Sequence, residues 1–448
     1  MKREVVSVET EARTKQAYRV RVREKYVGST GNINTRISYT VLGNGDLHVD
    51  VQSAVDAFLP VLPKVGVTFQ IPDEFSDLKW YGRGPHESYS DRKHGAPLGI
   101  YSGDVKDQYH PYVRPQENGN KTDVRWSSLS NGSGEGVLIY GSPTFNLSAH
   151  HYSLGTLTAA THTHMVKDAD AITVNIDNKV MGLGGDDSWN PRTHDEYLLK
   201  PKTYNYAFVL RFTENINDDL NKPLPRLLAS PAIQNSSGVF NELIGVELSS
   251  SMANANIIYG VNARGLTKAS QQYKSPISVT ESTVLVAQTT QKGYLDSELS
   301  EFSLLKIDEP FKSEIMAFRE AAKPVFVSMK NANLLILIAE PTKDGTEEDH
   351  TNWCDAYLID DTGAKKYLSD MTPVSVVQGW KELGIDQSVK GLALQIAGET
   401  FTKGLGSHSA SKIVYRLDNK YTEFHAKVGI DDNAGPAGTA IFKVQMVN

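Results

Sequence analysis

The sequence predicts an all-β protein. Three observations carry that reading: apolar residues alternate with period 2 along much of the chain, helical periodicity is scarce, and turn signals separate the alternating runs. In "ISYTVLGNGDLHVDV", Ile37, Tyr39 and Val41 share one strand face and Asn44-Gly45 supplies a turn. Leu47, Val49 and Val51 follow on the next strand, which makes a hairpin. "AITVNID" offers Ile172, Val174 and Ile176, and "TYNYAFVLRF" offers Tyr204, Tyr206, Phe208, Leu210 and Phe212. "LLILIA" at 334–339 is strand-length, far short of a membrane span, and reads as a buried strand. Only "IDEPFKSEIMAFREAAKP", 307–324, predicts a short helix, closed before Pro324.

A chain of 448 residues exceeds one ordinary core, so two to four domains are expected. "TENINDDLNKPLPRLLASP", after residue 212, is polar and proline-punctuated, as a linker should be. Cuts near 217 and 310 give units of 1–217, 218–310 and 311–448. The middle unit, a run of short strands, suits a seven-strand sandwich of immunoglobulin type. No segment offers the alternating strands and helices of a (β/α)₈ barrel, which needs about 250 residues. Net charge is 46 − 53 = −7 with no basic block, which argues against nucleic-acid or acidic-membrane partners. The start, "MKREVVSVETEARTK", lacks the apolar core of a signal peptide and reads as continuing from something upstream. The single cysteine, Cys354, excludes an internal disulfide and a cysteine-based metal cluster. It is read as a buried thiol, and the compartment stays undetermined.

"DDSWNP", 186–191, sets two carboxylates beside a tryptophan. A retaining glycosidase needs two carboxyl groups about 5 Å apart, on either side of the sugar. Asp186 and Asp187 are adjacent, so an extended backbone would point them to opposite faces. Between Gly184-Gly185 and a proline they read as loop-shaping acids. Trp189 is different, because an indole at a loop tip can stack on the C–H face of a sugar ring. The pattern leaves core packing and sugar contact open for it. "THTH" carries His162 and His164 on one face of a strand, but no third metal ligand stands nearby, and "HH" at 150 and 151 earns no more. No nucleophile-elbow motif supports serine catalysis.

"WYGRGPHESYSDRKHG" (80–95) and "YVRPQENGNKTDVRW" (112–126) are dense in charge and aromatics. Such density is stable only when the groups satisfy one another. The favoured reading is a rigid polar framework, Arg83, Arg92, Arg114 and Arg125 pairing with Glu87, Asp91, Glu117 and Asp123. A sugar-contacting wall is the alternative. Near the C-terminus, "DHTNWCDAYLIDD" sets Trp353 among acids and "GLGSHSASKIVYRL" brings His408 after a glycine-rich turn. This mixture fits a carbohydrate-binding sandwich or a plain structural one.

"WYGRGPHESYSDRK", "YVRPQENGNKTDVRW" and "MGLGGDDSWNP", in that order, resemble the signature segments of the last conserved domain of glycoside hydrolase family 2 β-galactosidases. The resemblance implies a large β-supersandwich that follows a catalytic barrel, with both catalytic glutamates on that barrel and none here. It implies that Trp189 forms a platform for sugar, chiefly on the aglycone side, while Asp186 and Asp187 shape the loop. Residues 257–294 are similar to the immunoglobulin-like spacers of many glycosidases. "DHTNWCDAYLID", "GWKELGID" and "FTKGLGSHSASKIVYRL" resemble NPCBM carbohydrate-binding modules, which implies a jelly-roll-type sandwich with Trp353, Trp380 and His408 as sugar contacts. The "DH..W.DA" stretch leads here where it usually closes such modules, so a permuted strand order is expected. The implied whole is the non-catalytic C-terminal part of a β-galactosidase, partnered by a catalytic barrel on the same or a separate chain and by a β-galactoside or other carbohydrate. The alternative is a stand-alone glycan-binding or adhesion protein. No cofactor is indicated with certainty, and a structural cation at the acid-rich loops is left open.

Overall fold

Each alternating run folds as a strand in the computed structural model, which describes residues 1–28, 31–57, 59–186, 193–234, 238–263, 265–267, 270–329 and 332–447. The protein is all-β, 54% strand and 5% helix. The first eleven strands are β1 (Lys2–Thr14), β2 (Ala17–Val27), β3 (Asn32–Leu42), β4 (Leu47–Val55), β5 (Lys64–Pro72), β6 (Asp77–Arg83), β7 (Leu98–Asp104), β8 (Lys121–Ser130), β9 (Gly136–His150), β10 (Ala171–Val180) and β11 (Thr203–Thr213). They form one sheet in the order β1-β2-β3-β4-β11-β9-β8-β6-β7, with β10 paired to both β9 and β5. The β3–β4 hairpin closes at Asn44-Gly45, where Gly45 takes φ +86°, a conformation glycine adopts without strain.

Strand β9 organises the sheet. Its first half pairs with β11 through Gly136–Ser142, and its last residues pair with β10 through Asn146–His150. One strand thus feeds two branches of the sheet, which close around a core that includes Val49, Trp80, Phe145, Ile172, Val174, Ile176 and Phe208. The alternation read from the sequence is the cause: Tyr204, Tyr206, Phe208 and Leu210 all enter that core.

Residues 232–306 build a smaller unit, a five-stranded sheet and two two-stranded sheets around Val246, Leu285, Phe302 and Leu304. The remaining strands make two six-stranded antiparallel sheets, with Trp353, Tyr415, Phe424 and Phe442 buried in one shared core, and a hairpin of Leu394–Ile396 and Glu399–Phe401. "LLILIA" is the buried strand expected, inside Leu334–Glu340. The helix expected over 307–324 does not form. Asp308–Lys312 and Met316–Ala317 instead pair with Thr439–Val447, the Ser313 amide donates to Phe442 O while the Phe442 amide donates to Ser313 Oγ, and Arg319 takes φ +66°. Open ladder positions on a strand far downstream outweigh local helix propensity.

The first two units meet through a polar seam. Glu298, 6% exposed, receives Arg19 and Arg21 from β2, with Arg21 Nη2 lying 3.1 and 2.9 Å from its two oxygens. Burial opposes ionisation of Glu298, but the charges of Arg19, Arg36 and Arg21 outweigh it and hold the carboxyl below its ordinary value. Asp50 of β4 accepts both the amide and the hydroxyl of Ser230 at 3.0 Å. An apolar cluster then joins Val239 and Leu305 to Leu334, Ile336 and Val414 of the last unit.

Removing one partner of a buried ion pair strands the other charge, at about 3–5 kcal/mol. Glu298→Ala is therefore expected to lower the unfolding free energy read from the urea transition by that order, with a lower midpoint, and Arg19→Met with Glu298→Leu to recover most of the loss. A midpoint unchanged in Glu298→Ala would show that the seam holds nothing together.

Candidate functional site

The polar segments 84–97 and 109–120 carry little regular structure, and side-chain carboxylates take the place of ladder bonds there. Glu87 accepts the Gly119 amide at 2.8 Å, Arg92 Nη2 at 2.9 Å and the Tyr112 hydroxyl. Burial opposes ionisation of Glu87, yet the Tyr112 and Gly119 hydrogen bonds and the Arg92 and His110 charges hold its carboxyl below the usual range. Next to it, the Ser88 amide donates to Asn120 O at 2.7 Å, and Asn120 Nδ2 returns a bond to Ser88 O at 2.8 Å. Two loops from different strand connections are tied into one surface.

Arg83 Nε meets Asp123 Oδ2 at 2.6 Å, and Lys93 Nζ meets the same oxygen at 3.2 Å. Asp123 sits at φ +56° within a register shift of β8, a conformation that costs an L residue energy and is offset by these two cations. The expected framework therefore forms as Arg83–Asp123 and Arg92–Glu87. Other partners differ from expectation: Glu117 takes Lys64, Arg125 donates to the Asp123 carbonyl and lies over Tyr81, and Arg114 is exposed outside these pairs.

Asp91 serves the third motif. Its Oδ2 accepts the amides of Leu183 and Gly184 at 2.8 and 2.7 Å. A Cβ on Gly182 would lie 2.7–2.9 Å from Tyr197, Thr193 and Asp91, so only glycine lets the chain approach this closely. Asp186, exposed, accepts His194 Nε2 at 2.8 Å. Asp187 and Trp189 lie outside the described residues. The first motif thus bonds the other two, and an open depression beside Glu87 includes His86, Arg92, His94, His110 and Tyr112.

Beneath this surface the groups are locked. Lys121, 3% exposed, donates to Gly119 O at 3.1 Å and lies over the Trp80 ring; burial lowers its pKa to about 8. His150 Nε2 donates to Asn118 O at 2.9 Å while Nδ1 accepts the Tyr152 hydroxyl at 3.1 Å, a pattern that fits the neutral ring. Burial brings the His150 pKa down to about 4. His162 and His164 are exposed beside a 3₁₀ turn, Thr163–Met165, instead of on a strand face. Among the described residues no three His, Cys, Asp or Glu side chains group as a metal site.

A second cluster lies in the last unit. Trp380, 42% exposed, stacks on His350 at 5.5 Å and meets His408 edge-on at 5.7 Å. Trp353 does not join it. It is fully buried against Phe442 and presents no face to a ligand, so it is a core residue. Strand parity explains the exchange: His350 is three residues before Trp353, so the two point to opposite faces. Across the ladder His350 pairs with His408 and Trp353 with Leu405, the same spacing repeated. His350 was missed in the sequence, although that alternation would have found it. Burial, then Lys390 and His408, lowers the His350 pKa. Cys354 is the buried thiol expected, and burial pushes its pKa well up.

Residues 1–210 match the family model described as beta galactosidase small chain. The first unit is homologous to the beta-galactosidase small chain. Residues 301–359 and 364–447 match the NPCBM/NEW2 domain, and 235–301 match the chitobiase/beta-hexosaminidase C-terminal domain. Among curated relatives, a beta-galactosidase of Priestia megaterium is 44% identical over 176 residues, 39% of this chain and 17% of that protein. Beta-galactosidases of Pseudoalteromonas haloplanktis and Vibrio cholerae are 39% and 35% identical, over 39% and 40% of this chain and 16% and 17% of theirs. The chain spans about a sixth of the length of these relatives.

Within the small-chain unit, Asp91 is the one carboxylate, among the described residues, that bonds the glycine-rich third motif at its backbone. Hydrogen bonds to an ionised carboxylate contribute about 1.5–3 kcal/mol each. Asp91→Ala is expected to abolish hydrogen-exchange protection at the Leu183 and Gly184 amides while the β9–β11 amides stay protected. Unchanged protection at 183 and 184 would show that Asp91 does not anchor the segment.

Proposed function

We propose that this chain is the non-catalytic C-terminal part of a retaining β-galactosidase, that it completes the active-site cleft, and that it binds carbohydrate. The observation that carries the reading is that Glu87 and Asp91 of the first motif bond the backbones of the second and third motifs, with Glu87 at an open depression. In a retaining hydrolase the reaction itself needs two carboxyl groups about 5 Å apart, one forming and one releasing a glycosyl-enzyme. A partner barrel supplies that pair. The chain's own part is positional: the Asp91-held segment leads towards Trp189, whose indole offers an apolar face and one N–H to the aglycone side of a terminal β-galactoside.

The NPCBM unit contributes a second contact. Trp380 gives the exposed ring, and His350 and His408 stiffen it from below. A half-exposed indole on a rigid base suits sugar stacking, because little side-chain freedom is lost on binding. This same cluster favours the rival reading, a glycan-binding protein with no hydrolytic role.

Mixing decides between the two. A barrel-bearing β-galactosidase chain that ends before its small-chain domain should regain turnover of a chromogenic β-galactoside when this chain is added. Trp189→Ala should then lower kcat/KM about tenfold, roughly 1.4 kcal/mol of transition-state contact. No recovery of turnover, together with galactoside binding by the chain alone, would favour the rival. In titration calorimetry Trp380→Ala should weaken binding of the chain to galactosides at least tenfold, and unchanged binding would remove Trp380 from the site.

A further inference from the structure

A groove lies elsewhere, at the joint between the small-chain unit and the middle unit. Its volume is ≈ 750 Å³, and it is walled on one side by Asn178, Lys179, Tyr197 and Lys202 and on the other by Gln234 and Ser250. The Ser142 and Ser251 hydroxyls, 3.0 Å apart, join its two walls. Ligand sites occur preferentially at such interfaces between units.

The charges in this groove are unbalanced. Lys200, also on its lining, is paired with Asp195 at 2.8 Å. Lys179 and Lys202 have no ion pair among the described residues. Lys202 is half-buried, its ammonium 5.5 Å from the centre of the Tyr204 ring, and burial followed by the charge of Lys179 lowers its pKa. Two like charges, exposed Lys179 and half-buried Lys202, thus share the groove in a chain whose net charge is −7. Among the described residues the one acid on the lining, Glu196, is exposed and hydrogen-bonded to the Tyr197 side chain.

We propose that this joint is a binding site for a saccharide bearing a carboxylate or sulfate group, separate from the Trp380 contact. Lys179 and Lys202 receive the anionic group, while the Asn178 and Gln234 amides and the Tyr197 ring suit the sugar body. Lysine meets an oxyanion as a point charge, so carboxylate and sulfate are both accommodated.

Titration calorimetry on the full chain with a galacturonic acid disaccharide, galactose 6-sulfate, lactose and inorganic sulfate tests this. At least one anionic sugar should bind tenfold or more tighter than lactose and than inorganic sulfate, with affinity falling as salt rises. Lys202→Met and Lys179→Ala should each weaken that binding at least fivefold and leave lactose binding unchanged. Trp380→Ala should leave the anionic sugar unaffected, which separates this site from the NPCBM contact. Anionic sugars no better than lactose, inorganic sulfate binding equally well, or lysine variants that bind as the parent chain does would each overturn the proposal. Thermal melts of both variants close to the parent's would confirm that they fold.

Discussion

The small-chain unit depends on carboxylates standing in for a β-ladder. Between β6 and β8 the chain leaves regular structure twice, and a backbone without ladder partners must satisfy its amides otherwise. Glu87 takes the Gly119 amide, and Asp91 takes those of Leu183 and Gly184. Each is an ionised acceptor, so each bond is stronger than the backbone bond it replaces. That choice fixes loops which turn chemistry alone would leave mobile. It also leaves the Arg92 and Tyr112 side chains set against Glu87 at the rim of the depression.

The same constraint has a pH consequence. Glu87 and Asp123 both have carboxyls held below their ordinary values. Their stabilising contribution is full above the unfolded-state value near pH 4 and is lost as pH falls through the lower folded-state values. The framework should therefore loosen on acidification before the apolar core does. His150 responds earlier: its pKa, about 4 in the fold, lies below the unfolded value near 6.5, so its stabilising contribution is lost as pH falls from about 6.5 towards 4.

Strands were legible because period-2 alternation is a local property, and every run quoted from β3, β4, β10 and β11 lies in its strand. The helix read over 307–324 failed because its partner, Thr439–Val447, is distant in sequence. Among site residues, Glu87 and Arg92 could be paired from composition, but the reach of Asp91 to Leu183 crosses 92 residues and has no local signal. Trp353 reads as a surface ring in the sequence because acids flank it. Its pairing with Leu405, on the face opposite His350, sends it inward.

One account joins these parts: a small-chain wall ordered by carboxylates, a middle unit clamped to it through Glu298, and an NPCBM unit carrying Trp380. Its central claim is that the chain shapes a cleft and supplies no chemistry. The most direct test is turnover of a chromogenic β-galactoside by the purified chain alone, at saturating substrate. The account predicts a rate indistinguishable from buffer. Turnover that scales with chain concentration and survives repurification would place the catalytic carboxylates within these 448 residues and contradict it.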